Sequence, residues 1–265
     1  ALMTMHMGQS EKIRSAAGDC NRMGIAVLPP DINKSCVEFS IERTDDGDAI
    51  RFGLGAVKNV GAGAVEPVIA VRREGGEFGS IADFCRRADL RALNKRTLES
   101  LIKVGAFDSF GVRGALLVNI DRILSMAQNE RRLQESGQTT MFDLFGESVQ
   151  TPLPDLDVEG EDAPLQERLS WERDLLGLYL SEHPFARAAK RLAAKHTTLC
   201  GQIDENLVGK SVTVAGMVST ARHLFTRDGK PFASATLEDL DGSIDVNAWP
   251  EVYQRTKELD RKSVV

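Results

Sequence analysis

Between residues 135 and 165 no hydrophobic period survives, and Pro, Gly, Asp and Glu replace the apolar repeats found on either side. A stretch without a period has no face to bury, so it reads as a mostly solvated linker, and the regions flanking it must each build their own core. With 265 residues available, two or three modules are expected.

Charge divides along the same break. Residues 136 to 174 hold ten acids against only Arg168 and Arg173, a local balance of -8. Residues 72 to 132 hold twelve bases against eight acids, with the pairs Arg72-Arg73, Arg86-Arg87, Lys95-Arg96 and Arg131-Arg132. The net charge of -6 therefore comes mainly from one short acidic stretch, and it does not exclude a nucleic-acid partner.

Residues 11–23 have the spacing of an amphipathic helix ended by Gly24, and Val27-Leu28-Pro29-Pro30-Asp31 reads as an extended connector. The opening Ala1-Leu2-Met3 lies inside a helical pattern and is read as something other than a natural start. Strands are predicted over 37–42 and 50–54 around an Asp45-Asp46-Gly47 turn. From Gly55 to about Arg132 short helices alternate with glycine turns, and Ser80, Asn94 and Asp108 suit caps or turns. Helices resume over 166–179 and 185–195. Alternation over 211–218, 233–240 and 244–249, with turns at Asp228-Gly229-Lys230-Pro231 and Asp241-Gly242, predicts a small antiparallel sheet. The fold class is α+β, mainly α, closing on an incomplete OB-type antiparallel barrel.

Three features point to chemistry. The first is Ala56-Val57-Lys58-Asn59-Val60-Gly61-Ala62-Gly63-Ala64-Val65, a helix-hairpin-helix pattern whose glycines admit a phosphate close to main-chain amides at a helix start. A weaker copy runs through Leu101-Ile102-Lys103-Val104-Gly105 and Phe110-Gly111-Val112-Arg113 to a helix from Gly114. These glycines either grip a duplex without regard to base sequence or merely end helices in a bundle. Lys58, Lys103 and Arg113 beside the turns favour the first reading. The second feature is Gln138-Thr139-Thr140-Met141-Phe142, apolar residues within an acidic stretch, in which Gln138, Met141 and Phe142 have the spacing of a peptide that docks on a sliding clamp. The alternative is packing on the chain's own surface. The third is Arg222, His223, Phe225, Arg227 and Lys230, expected in the loop between the first two strands of the last sheet. Such residues hold single strands by phosphate contact and stacking, or form a solvated charged loop. Trp249 is expected in the core.

Enzyme motifs fail on inspection. Val208-Gly209-Lys210-Ser211 lacks the earlier P-loop glycine, because position 204 is Asp, and Gly53-Leu54-Gly55 lacks the third glycine of a dinucleotide fingerprint. His6, His183, His196 and His223 have neither metal nor triad spacing, and Cys20, Cys36, Cys85 and Cys200 are read as reduced thiols without zinc. Glu238, Asp239, Asp241 and Asp245 are read as solvated acids around a hairpin turn. No catalytic residue, metal site or cofactor is expected within the chain. With neither a leader nor a membrane span in the sequence, the cytoplasm is the expected location.

Four long runs resemble the bacterial DNA polymerase III alpha subunit. They are Cys20-Asn21-Arg22-Met23-Gly24-Ile25-Ala26-Val27-Leu28-Pro29-Pro30-Asp31-Ile32-Asn33, Phe52 to Gly61, Asn94 to Asp108, and Asp174 to Pro184. The resemblance implies the end of a polymerase fingers domain over 1–50 and a tandem helix-hairpin-helix region over 51–135. It implies an acidic linker with a clamp-binding peptide over 136–165, a helical connector over 166–204 and a truncated OB domain over 205–265. It further implies that Lys58, Gly61 and Gly63 meet product duplex, and Val60, Lys103, Gly105 and Arg113 beside the two turns are candidate DNA-binding residues with them. Gln138, Met141 and Phe142 would meet the clamp, and Arg222, Arg227 and Lys230 single-stranded template. Nucleotidyl transfer, and the Mg2+ it uses, would belong to palm carboxylates upstream of Ala1, and other replicase subunits would be further partners. The alternative is a stand-alone DNA-binding protein built from the same modules. Asp260 to Val265 departs from the family pattern and is read as appended sequence.

Overall fold

A computed structural model describes residues 2–89, 93–136, 158, 160–192, 198–240 and 242–260, which form two compact units, Ala1–Ser181 and Glu182–Val265. The division falls after the helix that follows the acidic stretch, not within that stretch.

The first unit opens with α1 (Leu2–Met5) and α2 (Ser10–Arg22), which buries Ile13, Ala16, Ala17 and Cys20 along one face. Gly24, at φ 72°, ends α2 where a residue with Cβ would be strained. The expected connector then becomes a short strand: β1 (Val27–Leu28) pairs in parallel with β3 (Gly47–Arg51), which pairs antiparallel with β2 (Ser40–Thr44). Both hairpin strands differ by about three residues from the sequence expectation, for a visible reason. Leu54 and Gly55 donate their amides to the carbonyls of Cys36 and Val37, so these residues hold the loop against a 3-10 turn over Leu54–Ala56. A Cβ on Gly53 would lie 2.6 Å from the Val37 carbonyl oxygen, so this glycine serves backbone approach within the fold.

The helical block contains α3 (Ala62–Gly75), α4 (Ile81–Arg87), α5 (Lys95–Lys103), α6 (Arg113–Val118) and α7 (Ile120–Ser136). Ser80 and Asn94 cap α4 and α5 as their positions predict, their side-chain oxygens accepting from the amides of Asp83 and Thr97. Phe84 stands at the centre, edge-on to both Phe78 and Phe107 at 5.2 and 4.9 Å between ring centroids. The Pro-Pro connector is fastened to this core: Ile32 donates to the Ala106 carbonyl, and the Asn33 amide side chain brackets both backbone groups of Phe78. Helix α8 (Leu165–Leu176) completes the unit with Leu169, Glu172 and Leu176 buried.

In the second unit α9 (Ala186–Leu192) and two 3-10 turns precede a three-stranded antiparallel sheet in the order β4 (Met217–Phe225), β5 (Pro231–Glu238), β6 (Ser243–Ala248). The first strand lies about six residues later than the alternation suggested. A helix not anticipated, α10 (Pro250–Asp260), follows β6 with Pro250 at its first position, where a missing N–H costs nothing. The architecture is mixed α and β, with a helical region and a small antiparallel sheet of OB type.

Candidate nucleic-acid interface

The first glycine hairpin is open. Lys58 is exposed and its amide donates to the Leu175 carbonyl at 2.9 Å, which fixes the loop without using the ammonium. Asn59 adopts a left-handed φ of 68°, tolerated because its side chain donates to Ser100 Oγ at 3.2 Å and its carbonyl accepts from Thr97 Oγ1. Val60 is the anchor, only 6% exposed, so it supports the turn and leaves contact to its neighbours. Gly61 and Gly63 lie on the surface, and a Cβ at either would meet nothing within 4 Å. Gly61 precedes the first turn of α3, a helix of 14 residues whose leading amides have no partner within the helix. Arg96, beside Thr97, is exposed and forms no salt bridge among the described residues, as is also true of Lys58. Sequence reasoning missed Arg96, although the Lys95-Arg96 pair was its signal.

The second hairpin is closed. Gly105 is buried at φ 86°, and the side chains of Arg113 and Asp108 occupy the space a Cβ would need. Arg113 is 4% exposed: its Nε and Nη2 donate to Asp108, and Nη1 donates to the Lys103 carbonyl and to Glu172 Oε1, each at 3.2 Å. Burial pulls the guanidinium pKa down, but hydrogen bonds and charge from Asp108 and Glu172 more than offset that and hold it above its ordinary value. Arg113 is thus a buried structural tie, which corrects its assignment as a surface phosphate contact. Lys103 is half-buried, with its ammonium 5.7 Å from the Trp171 ring centroid.

The end of the acidic stretch completes the closure. Val158 packs 3.2 Å from where a Cβ on Gly111 would lie, and the backbone of 161–163 crosses so near Gly114 that its Cβ would stand 2.8 Å from the Ala163 nitrogen. Asp162 accepts from the Gly114 amide at 3.4 Å and from Arg168 at 2.7 Å. Its described end is therefore packed on α6, where the sequence suggested solvated linker. Gln138, Met141 and Phe142 lie outside the described residues.

In the second unit Arg222 and His223 belong to β4 itself, opposite Ser234 and Ala233, while Arg227 and Lys230 occupy the tight turn between β4 and β5. Thr226 organises that turn, its amide donating to the Lys230 carbonyl and its hydroxyl accepting from the Lys230 amide. Arg222, Arg227 and Lys230 are all exposed and form no salt bridge among the described residues. Two expectations reverse here. Glu238 and Asp239 are 4% and 3% exposed, not solvated, with Asp239 accepting from the amides of Cys200 and Gly242. Trp249, expected inside, is 58% exposed and lies on Phe232, with ring centroids 5.1 Å apart and 23° between planes.

Among the described residues no three His, Cys, Asp or Glu side chains are arranged to hold a metal ion, and no helix is long and apolar enough to cross a membrane. None of the four cysteines forms a disulfide, and burial raises the Cys85 thiol to about 12.

Comparison with known families fits this division. Residues 24–116 match the helix-hairpin-helix motif, and residues 212–265 match the OB-fold nucleic acid binding domain. The chain thus joins a helix-hairpin-helix module to one of the OB-fold nucleic-acid-binding type. Along its whole length it is related to the DNA polymerase III alpha subunit. It is 38% identical over 262 residues to that subunit from Saccharopolyspora erythraea, 96% of this chain and 22% of the relative. It is also 38% identical over 271 residues to the Haemophilus influenzae subunit, and 34% over 278 residues to that of Escherichia coli K12. Each of these comparisons covers all of this chain and 23% of the relative. The chain therefore spans less than a quarter of these relatives. The OB match runs through residue 265. Residues 261–265 lie outside the described residues.

Proposed function

We propose that this chain is a DNA-binding portion of a replicative DNA-directed DNA polymerase, and that it grips product duplex mainly through the first hairpin. The observation that carries this is the open turn at Gly61 and Gly63, next to exposed Lys58 and Arg96, in a chain related to DNA polymerase III alpha subunits. A phosphate is matched there by geometry and charge together: helix-start amides have unused donors, glycines leave room, and two cations stand beside them. Contacts of this kind do not read bases. Nucleotidyl transfer and its Mg2+ belong, on this reading, to palm carboxylates outside this chain, which spans less than a quarter of the DNA polymerase III alpha subunits it resembles.

The second unit meets single-stranded template through Arg222, Arg227 and Lys230, and Gln138, Met141 and Phe142 dock on a sliding clamp. Further replicase subunits and a cytoplasmic setting follow from the same parentage. Binding of the purified chain to a short duplex, followed across salt concentration, tests the core of this reading. Affinity is expected to fall steeply, with a logarithmic slope of several units, since each neutralised phosphate contributes roughly 0.9. Salt-independent binding, or none, contradicts it. For the docking peptide, changing Gln138 and Phe142 to Ala is expected to abolish clamp binding and to leave duplex binding nearly intact; unchanged clamp affinity removes that assignment.

A further inference from the structure

The expected place of Trp249 was the core, yet more than half of it is exposed, and it is not alone. Register fixes which residues share its side of the sheet. Leu224 lies opposite Phe232 and Arg222 opposite Ser234, and alternate residues on a strand face the same way, so Arg222, Leu224, Phe232 and Ser234 stand on one face. Trp249 lies parallel on Phe232 at that face. Further along, Thr220 and Thr236 hydroxyls hydrogen-bond to one another at 2.9 Å, and Thr236 donates to Asp245 at 2.7 Å, which continues the same rows with small polar side chains.

The face therefore has three parts: an exposed indole backed by a phenyl ring, an arginine across β5 from it on β4, and a low hydroxyl-lined path ending in a carboxylate. A fully apolar partner would leave Arg222 and the hydroxyls unmatched. A duplex has no exposed base face to lay on a flat ring. A single strand offers bases that stack and phosphates that seek the arginine, while Asp245 disfavours phosphate at the far end of the path.

We infer that Trp249, supported by Phe232, is a base-stacking platform for single-stranded DNA, with Arg222 taking an adjacent phosphate. This deepens the reading of the second unit as a single-strand binder and rests on it, but it names an interaction of a different kind. Stacking is nearly indifferent to salt, whereas the phosphate pairing of Arg222, Arg227 and Lys230 is not.

The chain contains two tryptophans, so Trp171→Phe in the full chain leaves Trp249 as its one indole. Titration of that variant with a thymidine oligonucleotide is expected to quench Trp249 fluorescence in step with binding. Trp249→Ala should weaken binding roughly ten-fold with an unchanged salt slope, and Trp249→Phe by less, as expected when one base is no longer stacked. Arg222→Ala should instead make the salt slope shallower. Circular dichroism of each variant verifies the sheet. If the triple change of Arg222, Arg227 and Lys230 to Ala weakens binding while Trp249 is neither quenched nor needed, stacking is refuted and the single-strand reading of the second unit stands. If the triple variant binds like the parent and Trp249 is neither quenched nor needed, both fall.

Discussion

The two glycine turns of the first unit have similar sequences and opposite surroundings. At Gly61 and Gly63 the backbone stands clear, Lys58 and Arg96 point into solvent, and the supporting contacts come from Val60, Asn59 and Leu175 beneath. At Gly105 and Gly111 the same elements are turned inward: the arginine is locked between two carboxylates, Val158 packs on Gly111, and residues 161–163 lie across the start of the following helix. The difference teaches that a glycine in a helix-hairpin-helix pattern admits whatever approaches closely. At one turn that place is open to a phosphate, and at the other the protein's own acidic segment has filled it.

Four changes sharpen the contrast, beginning with the largest effect. Glu172 is 1% exposed and accepts from Arg113 and from the amides of Leu180 and Ser181. Glu172→Ala removes one of the two carboxylates that hold a buried guanidinium and leaves the Leu180 and Ser181 amides without their acceptor, and is expected to cost about 3 kcal/mol in denaturant unfolding of the first unit. A loss below about 1 kcal/mol would mean the second hairpin is not held shut by this pair. Next, Gly105→Ala adds a Cβ at a positive φ and against Arg113, so it should destabilise by roughly 2 kcal/mol. Gly63→Ala, at an open helical position, should instead stabilise by about 0.5 kcal/mol. Equal effects at the two glycines would erase the distinction between open and closed turns. Third, Gly61→Val should leave the unfolding midpoint almost unchanged while weakening duplex binding several-fold, because the branched side chain stands where a phosphate would come.

The smallest effect concerns pH. Hydrogen bonds from Arg51 hold the Glu42 carboxyl below its ordinary range, outweighing the opposing effect of its partial burial. A lowered folded-state pKa stabilises above the unfolded value and is lost as pH falls through the folded one. The stability difference between the parent and Glu42→Gln should therefore be present at neutral pH and vanish in acid. A difference that persists below the carboxylate range would contradict the pairing.

Much of the helical region was legible because its signals are local. Ser80 and Asn94 announce helix starts through their own side chains, and α2 through its apolar spacing. Three things were not legible, each because tertiary contact decides it. Arg113 next to a glycine turn looks like a phosphate ligand until Asp108 and Glu172 arrive, the latter from 59 residues away. The hairpin strands lie about three residues off because the amides of Leu54 and Gly55 claim the carbonyls of Cys36 and Val37, leaving no ladder there. Trp249 follows an alternating run, and only the register of β5 and β6 and its contact with Phe232 reveal which side it occupies. Apolar identity alone places an aromatic side chain inside by default.

The open hairpin as the place where duplex is held is tested most directly by comparing the parent with the double variant Lys58→Ala, Arg96→Ala over a range of salt concentrations. Duplex affinity of the variant should drop, and its logarithmic salt slope should become shallower by about one to two units, one for each phosphate left without its cation. Its unfolding midpoint should not move, since neither side chain forms a salt bridge among the described residues. A variant that binds duplex with the parent's affinity and the parent's slope would show that the DNA is held elsewhere.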